Sequence, residues 1–431
     1  TCVVIAETSY IGRLGVEALA AMALVFPTVI LTMTMSGGAM GGGVASAIAR
    51  ALGGGDRERA STLASHALLI GLTFGVVFML GMLVFGPKVL ELLGGRGNVL
   101  TQATAYTQIF FGGAVLPWLL NTMAGVLRGT GNMRLPSFLI LNSAVWQIVL
   151  GGTLGLGFGP IPQFGMRGVA AGALIAYTIN ISVMGWYLFS GRARVVPKLR
   201  GLRIQWAMFF DILKVGAIAC FSPLQSVLTI SIFTHMLATF GTAILAGYGI
   251  GARLEFLLTS IAFSVGIGSV PMIGMAVGAG RIARARRIAW TAGIVAFTGV
   301  GSLASLVAIF PDIWVDIFTG DAAVRAASHQ YLSTVAPFYA FIGLASSMYF
   351  SSQGAAKVLG PVLAQTARLV FIAIGGWYLA THAATAQDFF WLAASSMVVL
   401  GTLSCSSVVA TRWGPRDSKA GIRPVLSGAA D

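Results

Sequence analysis

Long apolar runs follow one another along almost the whole chain, separated by short breaks rich in Gly, Arg and Lys. A helix needs about 20 apolar residues to cross the hydrocarbon core of a bilayer. Runs near 17–49, 61–86, 102–127, 135–158, 168–190, 215–239, 243–277, 288–310, 327–352, 358–381 and 387–411 supply that length. Residues 1–11 form a shorter run, read as the remaining part of a first spanning helix rather than a cleavable leader. Gly and Pro inside these runs are compatible with membrane helices. The pattern predicts an all-α integral membrane protein of twelve transmembrane helices, the first one truncated.

The second half of the chain repeats the first at a shift of 225 or 226 residues. Residues 240–246 echo 14–20. Val277-Gly278-Ala279-Gly280 with Ala285 echoes Leu52-Gly53-Gly54-Gly55 with Ala60. Tyr106 meets Tyr331, Gly129 meets Gly354 and Pro136 meets Pro361, so residues 128–136 answer 353–361. Six spans per half is an even number, which gives both halves the same topology. Parallel repeats of this kind are a transporter architecture with the substrate path between the halves. The division expected is an N-lobe over 1–190 (helices one to six), a basic cytoplasmic linker over 191–214, and a C-lobe over 215–431 (helices seven to twelve and a cytoplasmic tail). Within the linker, residues 204–210 are apolar enough to lie flat in the membrane interface.

Composition supports the class: 57% of residues are hydrophobic and 9% charged, against about 25% charged in soluble domains. A net charge of +14 would suit nucleic acid, but its placement argues otherwise. Twenty of the 27 Lys and Arg residues fall in one set of alternate breaks and the C-terminal tail. The other set holds Arg13, Lys88, Arg96, Arg167 and Arg325, and only Arg253 and Arg368 fall inside runs. Basic residues collect on the cytoplasmic side, so both termini are expected in the cytoplasm, at a cell (inner) membrane. The excess is an orientation signal with some attraction to anionic lipid head groups, and no nucleic-acid partner is expected. Cys2, Cys220 and Cys405 all lie in apolar runs; their odd number and wide spacing suit packing, not a disulfide framework or a metal motif.

Thirteen acids are present, and only Glu7 and Glu255 fall inside predicted spans. An ionisable group at depth costs about 2.5–3.5 kcal/mol on insertion scales, so it faces a cavity and serves a pathway. A buried carboxyl is also suited to carrying protons. The plainer reading of Glu7 is an interfacial residue, because Gly12 follows so closely; that of Glu255 is a structural ion pair between spans. Arg253 lies two residues from Glu255 and so on another helix face; Arg368 is the other candidate partner. Asn142, Gln147, Tyr177, Asn180, Gln225, His235 and Tyr248 could line a cavity or bond a neighbouring helix, with His235 near a span end. The glycines at 37–43 lack the Lys-Ser/Thr of a phosphate loop and read as close helix packing. No Walker motif, metal-ligand spacing or nucleophile–base pair is evident, so the chain is expected not to be an enzyme and to take neither cofactor nor metal.

The stretches Glu7-Thr8-Ser9-Tyr10-Ile11-Gly12-Arg13-Leu14-Gly15, Leu52-Gly53-Gly54-Gly55-Asp56, Leu127-Arg128-Gly129-Thr130-Gly131 and Leu245-Ala246-Gly247-Tyr248-Gly249-Ile250 together resemble the multidrug and toxic compound extrusion (MATE) family of secondary transporters. The resemblance covers nearly the whole chain. It implies two six-helix lobes in a V around a central cavity, and export of cationic amphiphiles against proton or sodium influx. Family members commonly carry Asp where this chain has Glu7, and many follow an Asn in helix five with an Asp four residues on. Here Asn142 is kept and Trp146 stands at the acid position. The acids that one branch places on helices seven and ten for sodium are missing from 215–239 and 327–352, leaving Glu255 on helix eight. Fewer hard oxygen ligands favour proton over sodium as the coupling ion. The resulting expectation is cation coupling through Glu7, Asn142 and Glu255, and a substrate cavity formed by Trp146, Tyr177, Asn180, Gln225 and Tyr248. Its aromatics would stack on cationic drugs. The partners expected are membrane lipids and small cationic organic substrates, with the chain a monomer. The competing expectations are a lipid-linked oligosaccharide flippase, which needs several cavity Arg or Lys, and a channel or receptor, which the two-fold repeat disfavours.

Overall fold

The computed structural model describes residues 2–158, 160–198, 203–382 and 384–414, the side chains of Cys2, Val4 and Ile5 excepted; Arg200 and the tail residues Arg416, Asp417, Lys419, Arg423 and Asp431 lie outside the described residues. The described secondary structure is helical throughout. α1 (Cys2–Arg13) turns at Gly15 into α2 (Val16–Met33), which passes through a π-helical segment, Thr34–Met40, into α3 (Gly41–Gly53). α4 (Arg57–Leu92) is a single rod of 36 residues. α5 (Gly97–Gly112) and α6 (Val115–Gly129) meet at a 47° bend. α7 (Arg134–Leu156) and α8 (Gly165–Phe189) pack against each other. The second half runs α9 (Trp206–Ala219), α10 (Phe221–Ala238), α11 (Thr242–Gly278), α12 (Ile282–Ile309), the short α13 (Asp312–Val315), α14 (Ala322–Val335), a 3₁₀ turn at Ala336–Phe338, α15 (Tyr339–Gly354), α16 (Leu359–Thr381) and α17 (Ala386–Ala410).

Among the described residues nine helical columns are long and apolar enough to cross a membrane, or ten with the bent α5–α6 pair. Two columns of the expected twelve fall short of that measure. α1 has 12 residues, and the α14–α15 column is interrupted by the 3₁₀ turn at Pro337 and carries Arg325, His329 and Gln330 in its first half. The seventh column starts at Trp206 rather than at 215. Residues 206–210 are the first turns of α9, with Trp206 and Phe210 exposed, and Asp211, Ile212 and Val215 further along are buried.

Several helix starts are fixed by side chains that accept otherwise unpaired amide protons. Asp56 accepts from Arg59 N–H at 2.8 Å, Asp321 from Ala323 and Val324 at 3.0 Å, and Thr385 with Asp388 forms a capping box. The repeat is visible in the helix ends. After α6, Gly131 (φ 87°) sends its N–H to Arg128 O at 2.9 Å, and Asn132 reaches back to Leu127 O at 3.2 Å. After α15, Ala356 (φ 56°) bonds Gln353 O at 2.9 Å and Lys357 bonds Ser352 O at 2.8 Å. This hydrogen-bond pair demands a left-handed residue. Ala356 is the one non-glycine with positive φ among the described residues: the second half keeps the turn but not its glycine.

Each half has its own apolar core. The first joins Tyr10, Phe110, Phe111, Trp118 and Leu188, and it also takes in Ile212, Val215 and Ala219 of α9. The second joins Phe233, Tyr331, Tyr339, Phe389 and Phe390. Tyr106 and Tyr331, equivalent in the repeat, are both fully buried. The halves meet along a seam where α3 lies against α11 and α15. Small residues set its closeness. A Cβ on Gly53 would overlap the backbone of Met275, and one on Gly278 would overlap the backbone of Arg50. A Cβ on Gly43 would lie 2.7 Å from Gly216 N, so part of the 37–43 cluster is close packing, as the sequence indicates.

Polar contacts tie the seam together. Ser46 donates to the carbonyls of Gln353 and Gly354, and Arg50 donates to Ser46. Arg50 also pairs with Asp211 at 2.9 Å, and the same carboxylate meets Arg59 at 3.0 Å and Lys214 at 2.6 Å. Arg128, which the sequence places in a basic break, is buried at the end of α6, where its Nε donates to Ala124 O at 3.2 Å. The linker is pinned to α4: Ser65 Oγ accepts from Lys198 N–H at 2.8 Å, and His66 Nε2 accepts from Gln205 N–H at 3.0 Å.

Candidate functional site

A cavity of about 350 Å³ lies between the halves. One wall comes from α2 and the π segment through Ile30, Thr34 and Gly38. The facing walls come from α10 (Ser222, Ser226), α11 (Tyr248, Glu255, Phe256, Phe263), α15 (Tyr349, Phe350) and α16 (Gln365, Arg368). On α11 it spans positions 248–263, well away from the seam at Gly274 and Gly278. Phe350 meets Phe263 and Tyr349 edge to face, with ring centroids 5.1 Å apart in both pairs, and the Tyr349 hydroxyl donates to Ala219 O at 3.0 Å. The lining is mostly apolar, and among the described residues Glu255 and Arg368 are its only charged members.

These two charges face each other loosely. Arg368 Nη2 stands 3.9 Å from Glu255 Oε1, beyond hydrogen-bond distance. Arg368 Nε also donates a long bond of 3.4 Å to Ser396. Arg253 turns away and places its guanidinium 5.0 Å from the Phe318 ring centre. The helical spacing argument holds: Glu255 takes a partner from another helix, and that partner is Arg368.

The second acid sits in a separate place, inside the N-lobe. Glu7 is 6% exposed, and Gln147 Nε2 donates to its Oε1 at 2.8 Å. Tyr10, Tyr106 and Tyr177 are buried in the same lobe. Gly151 leaves room for Tyr10, since a Cβ there would come 2.7 Å from the tyrosine hydroxyl. Asn142 does not reach Glu7. It donates to Asn180 Oδ1 at 3.2 Å, and Asn180 in turn donates to Ala176 O at 2.8 Å.

The residues expected to share one cavity are dispersed. Tyr248 and Glu255 line the interlobe cavity. Gln225 lies behind it and bonds Thr366 at 2.6 Å. Tyr177 and Asn180 are buried in the N-lobe. Trp146 is 39% exposed and is not among the residues that line the cavity. The buried stripe of α7 runs through Leu139, Ser143 and Gly151 at helical spacing; Gln147 falls within it, and Trp146, seven residues after Leu139, lies at its edge. That spacing brings out Gln147 alongside Trp146. No comparable signal separates the cavity aromatics Phe263, Tyr349 and Phe350 from core aromatics.

The MatE family model matches residues 1–153 and 219–379. The chain is 29% identical over 290 residues to an FAD transporter of Shewanella oneidensis, an alignment covering 66% of this chain and 62% of that protein. It is 25% identical over 429 residues to a probable multidrug resistance protein NorM of Deinococcus radiodurans, covering 92% of this chain and 88% of that one. Among solved structures, the fold matches a MOP superfamily transporter from Pyrococcus furiosus with a TM-score of 0.87 at 21% identity, over 95% of this chain and 91% of that chain. An outward-facing multidrug resistance MATE transporter matches with the same TM-score, 0.87, at 22% identity, again over 95% and 91% of the two chains. The family match spans both halves, the helices fold as in solved members, and the polar centres sit inside helical bundles: the chain belongs to the MatE family of multi-pass membrane transporters.

Proposed function

We propose that the chain is a secondary active multidrug exporter, driven by cation influx with the proton preferred over sodium. The observation that carries this is Glu7, a buried carboxylate held by Gln147 and, among the described residues, without a cationic partner. Such a group changes its packing when it takes up a proton, because the charged and neutral forms ask for different hydrogen bonds. Each charge moved inward gains about 2.3 kcal/mol per 100 mV of membrane potential. With the basic end of the bundle in the cytoplasm of a cell membrane, the seam of α3, α11 and α15 closes the inner side and the cavity belongs to the outer half. The substrates are cationic amphiphiles, drawn by Glu255 and the aromatic lining. The carrier works as a monomer among membrane lipids and uses neither metal nor organic cofactor. Named multidrug relatives support the export role.

A second reading has its own support. One relative is named an FAD transporter, and Arg368 gives the cavity a group for an anionic substrate. The flippase alternative asks for several cavity cations, whereas Arg368 is the one basic lining residue. The test uses purified protein in liposomes with a fluorescent organic cation and an imposed pH gradient without sodium. Gradient-driven movement that Glu7→Gln abolishes is the expected result. Undiminished movement by Glu7→Gln refutes coupling through this carboxylate, and movement only after sodium addition assigns the coupling to sodium.

A further inference from the structure

We propose that Arg368 is a tethered competitor that sets the charge selectivity of the interlobe cavity, so that an organic cation gains Glu255 only by displacing it. The inference rests on the reading of this cavity as the substrate site. The cavity is neutral within itself, since Glu255 and Arg368 are, among the described residues, its only charged lining groups. Their 3.9 Å separation provides attraction without a hydrogen bond. Arg368 is also weakly held from behind, because its one hydrogen bond among the described residues is the 3.4 Å contact with Ser396. Neither side chain is sealed off: Arg368 is 12% and Glu255 22% exposed. A loose, partly open pair in an otherwise apolar wall is an exchangeable pair.

The charge accounting then sets the preference. A simple cation that binds Glu255 leaves Arg368 unpaired beside a second positive charge, and like charges oppose one another in an apolar cavity. A molecule carrying an anionic group meets the opposite situation, with Arg368 as its ready partner. Arg368 therefore acts against cations and for anions, and Glu255 does the reverse. A role in packing alone would change both kinds of binding in the same direction.

The experiment measures direct binding of two xanthene dyes of opposite charge, cationic rhodamine 6G and anionic fluorescein. The proteins are the detergent-purified parent and the variants Arg368→Met, Arg368→Lys and Glu255→Gln. Arg368→Met should tighten rhodamine 6G on the order of tenfold, a difference of about 1.4 kcal/mol, and weaken fluorescein. Arg368→Lys should stay near the parent, and Glu255→Gln should weaken rhodamine 6G. If Arg368→Met fails to fold, Arg368→Gln, which removes the charge and keeps a polar group beside Ser396, carries the same decision. Rhodamine 6G binding that is equal in parent and Arg368→Met overturns the competitor role while leaving the cavity reading intact. Binding of neither dye to any folded protein overturns the cavity reading and the proposal with it.

Discussion

Asp211 is the group whose loss the seam should feel most. Its side chain is 10% exposed and meets three cations: Arg50 at 2.9 Å, Arg59 at 3.0 Å and Lys214 at 2.6 Å. Asp211 is buried and Arg50, at 14%, is mostly shielded from solvent, whereas Arg59 and Lys214 are 47% and 39% exposed. Removing one partner of a buried pair costs about 3–5 kcal/mol, because the other charge stays in place without compensation. The two exposed contacts add at most about 1 kcal/mol each after screening. Asparagine keeps the shape and one acceptor, which offsets part of the loss. Asp211→Asn should therefore destabilise the protein by about 3 kcal/mol, with most of the effect coming through Arg50. A double-mutant cycle with Arg50→Met, read from unfolding in a denaturing detergent, apportions it. The cycle should return a coupling energy above about 2 kcal/mol, little changed by added salt. A loss below about 1 kcal/mol for Asp211→Asn, or additive single and double variants, would refute the claim that this ion pair secures the seam.

Two further expectations concern the backbone. Ala356→Gly should stabilise and Gly131→Ala should destabilise, each by about 0.5–1 kcal/mol. Left-handed geometry costs a Cβ-bearing residue about 1–2 kcal/mol, and the freedom of unfolded glycine returns part of that; thermal unfolding of the two variants in detergent should show shifts of opposite sign. Gly278→Ala should force α3 and α11 apart at Arg50. A cysteine placed at the buried Ser46, in a background without other cysteines, should then become accessible to a membrane-impermeant thiol reagent added to the side bearing the seam. Unchanged protection would mean that the seam tolerates the methyl group.

The repeat was legible because equal topology leaves equal punctuation: the helix ends after Arg128 and Gln353 share the same backbone hydrogen bonds although one uses glycine and the other alanine. The isolation of Glu7 and Glu255 was legible too, since a carboxylate in an apolar run stands out at once. What the sequence could not supply was distance. Asp211 reads as one more acid in a basic linker, and only the fold brings Arg50 and Arg59 to it from α3 and α4. Trp146 lies at the edge of the buried stripe of α7, seven residues after Leu139, where helical spacing does not separate a cavity-facing side chain from an outward one. Arg128 read as a loop cation because a lone arginine at the end of an apolar run gives no sign that another lobe will cover it.

The π segment at Thr34–Met40 has a mechanical meaning of its own. Its winding closes at five residues, as in the bond from Gly41 N–H to Ser36 O, rather than four. It joins α2, which walls the cavity, to α3, which is clamped on α11. An α-helix advances about 100° per residue. If this stretch rewound to α geometry with α3 held fixed, α2 would turn by about 100° on its own axis. Ile30 would leave the cavity, and another stripe of α2 would take its place. The helix would work as a screw, changing the chemistry of one wall by rotation without the lobes having to part.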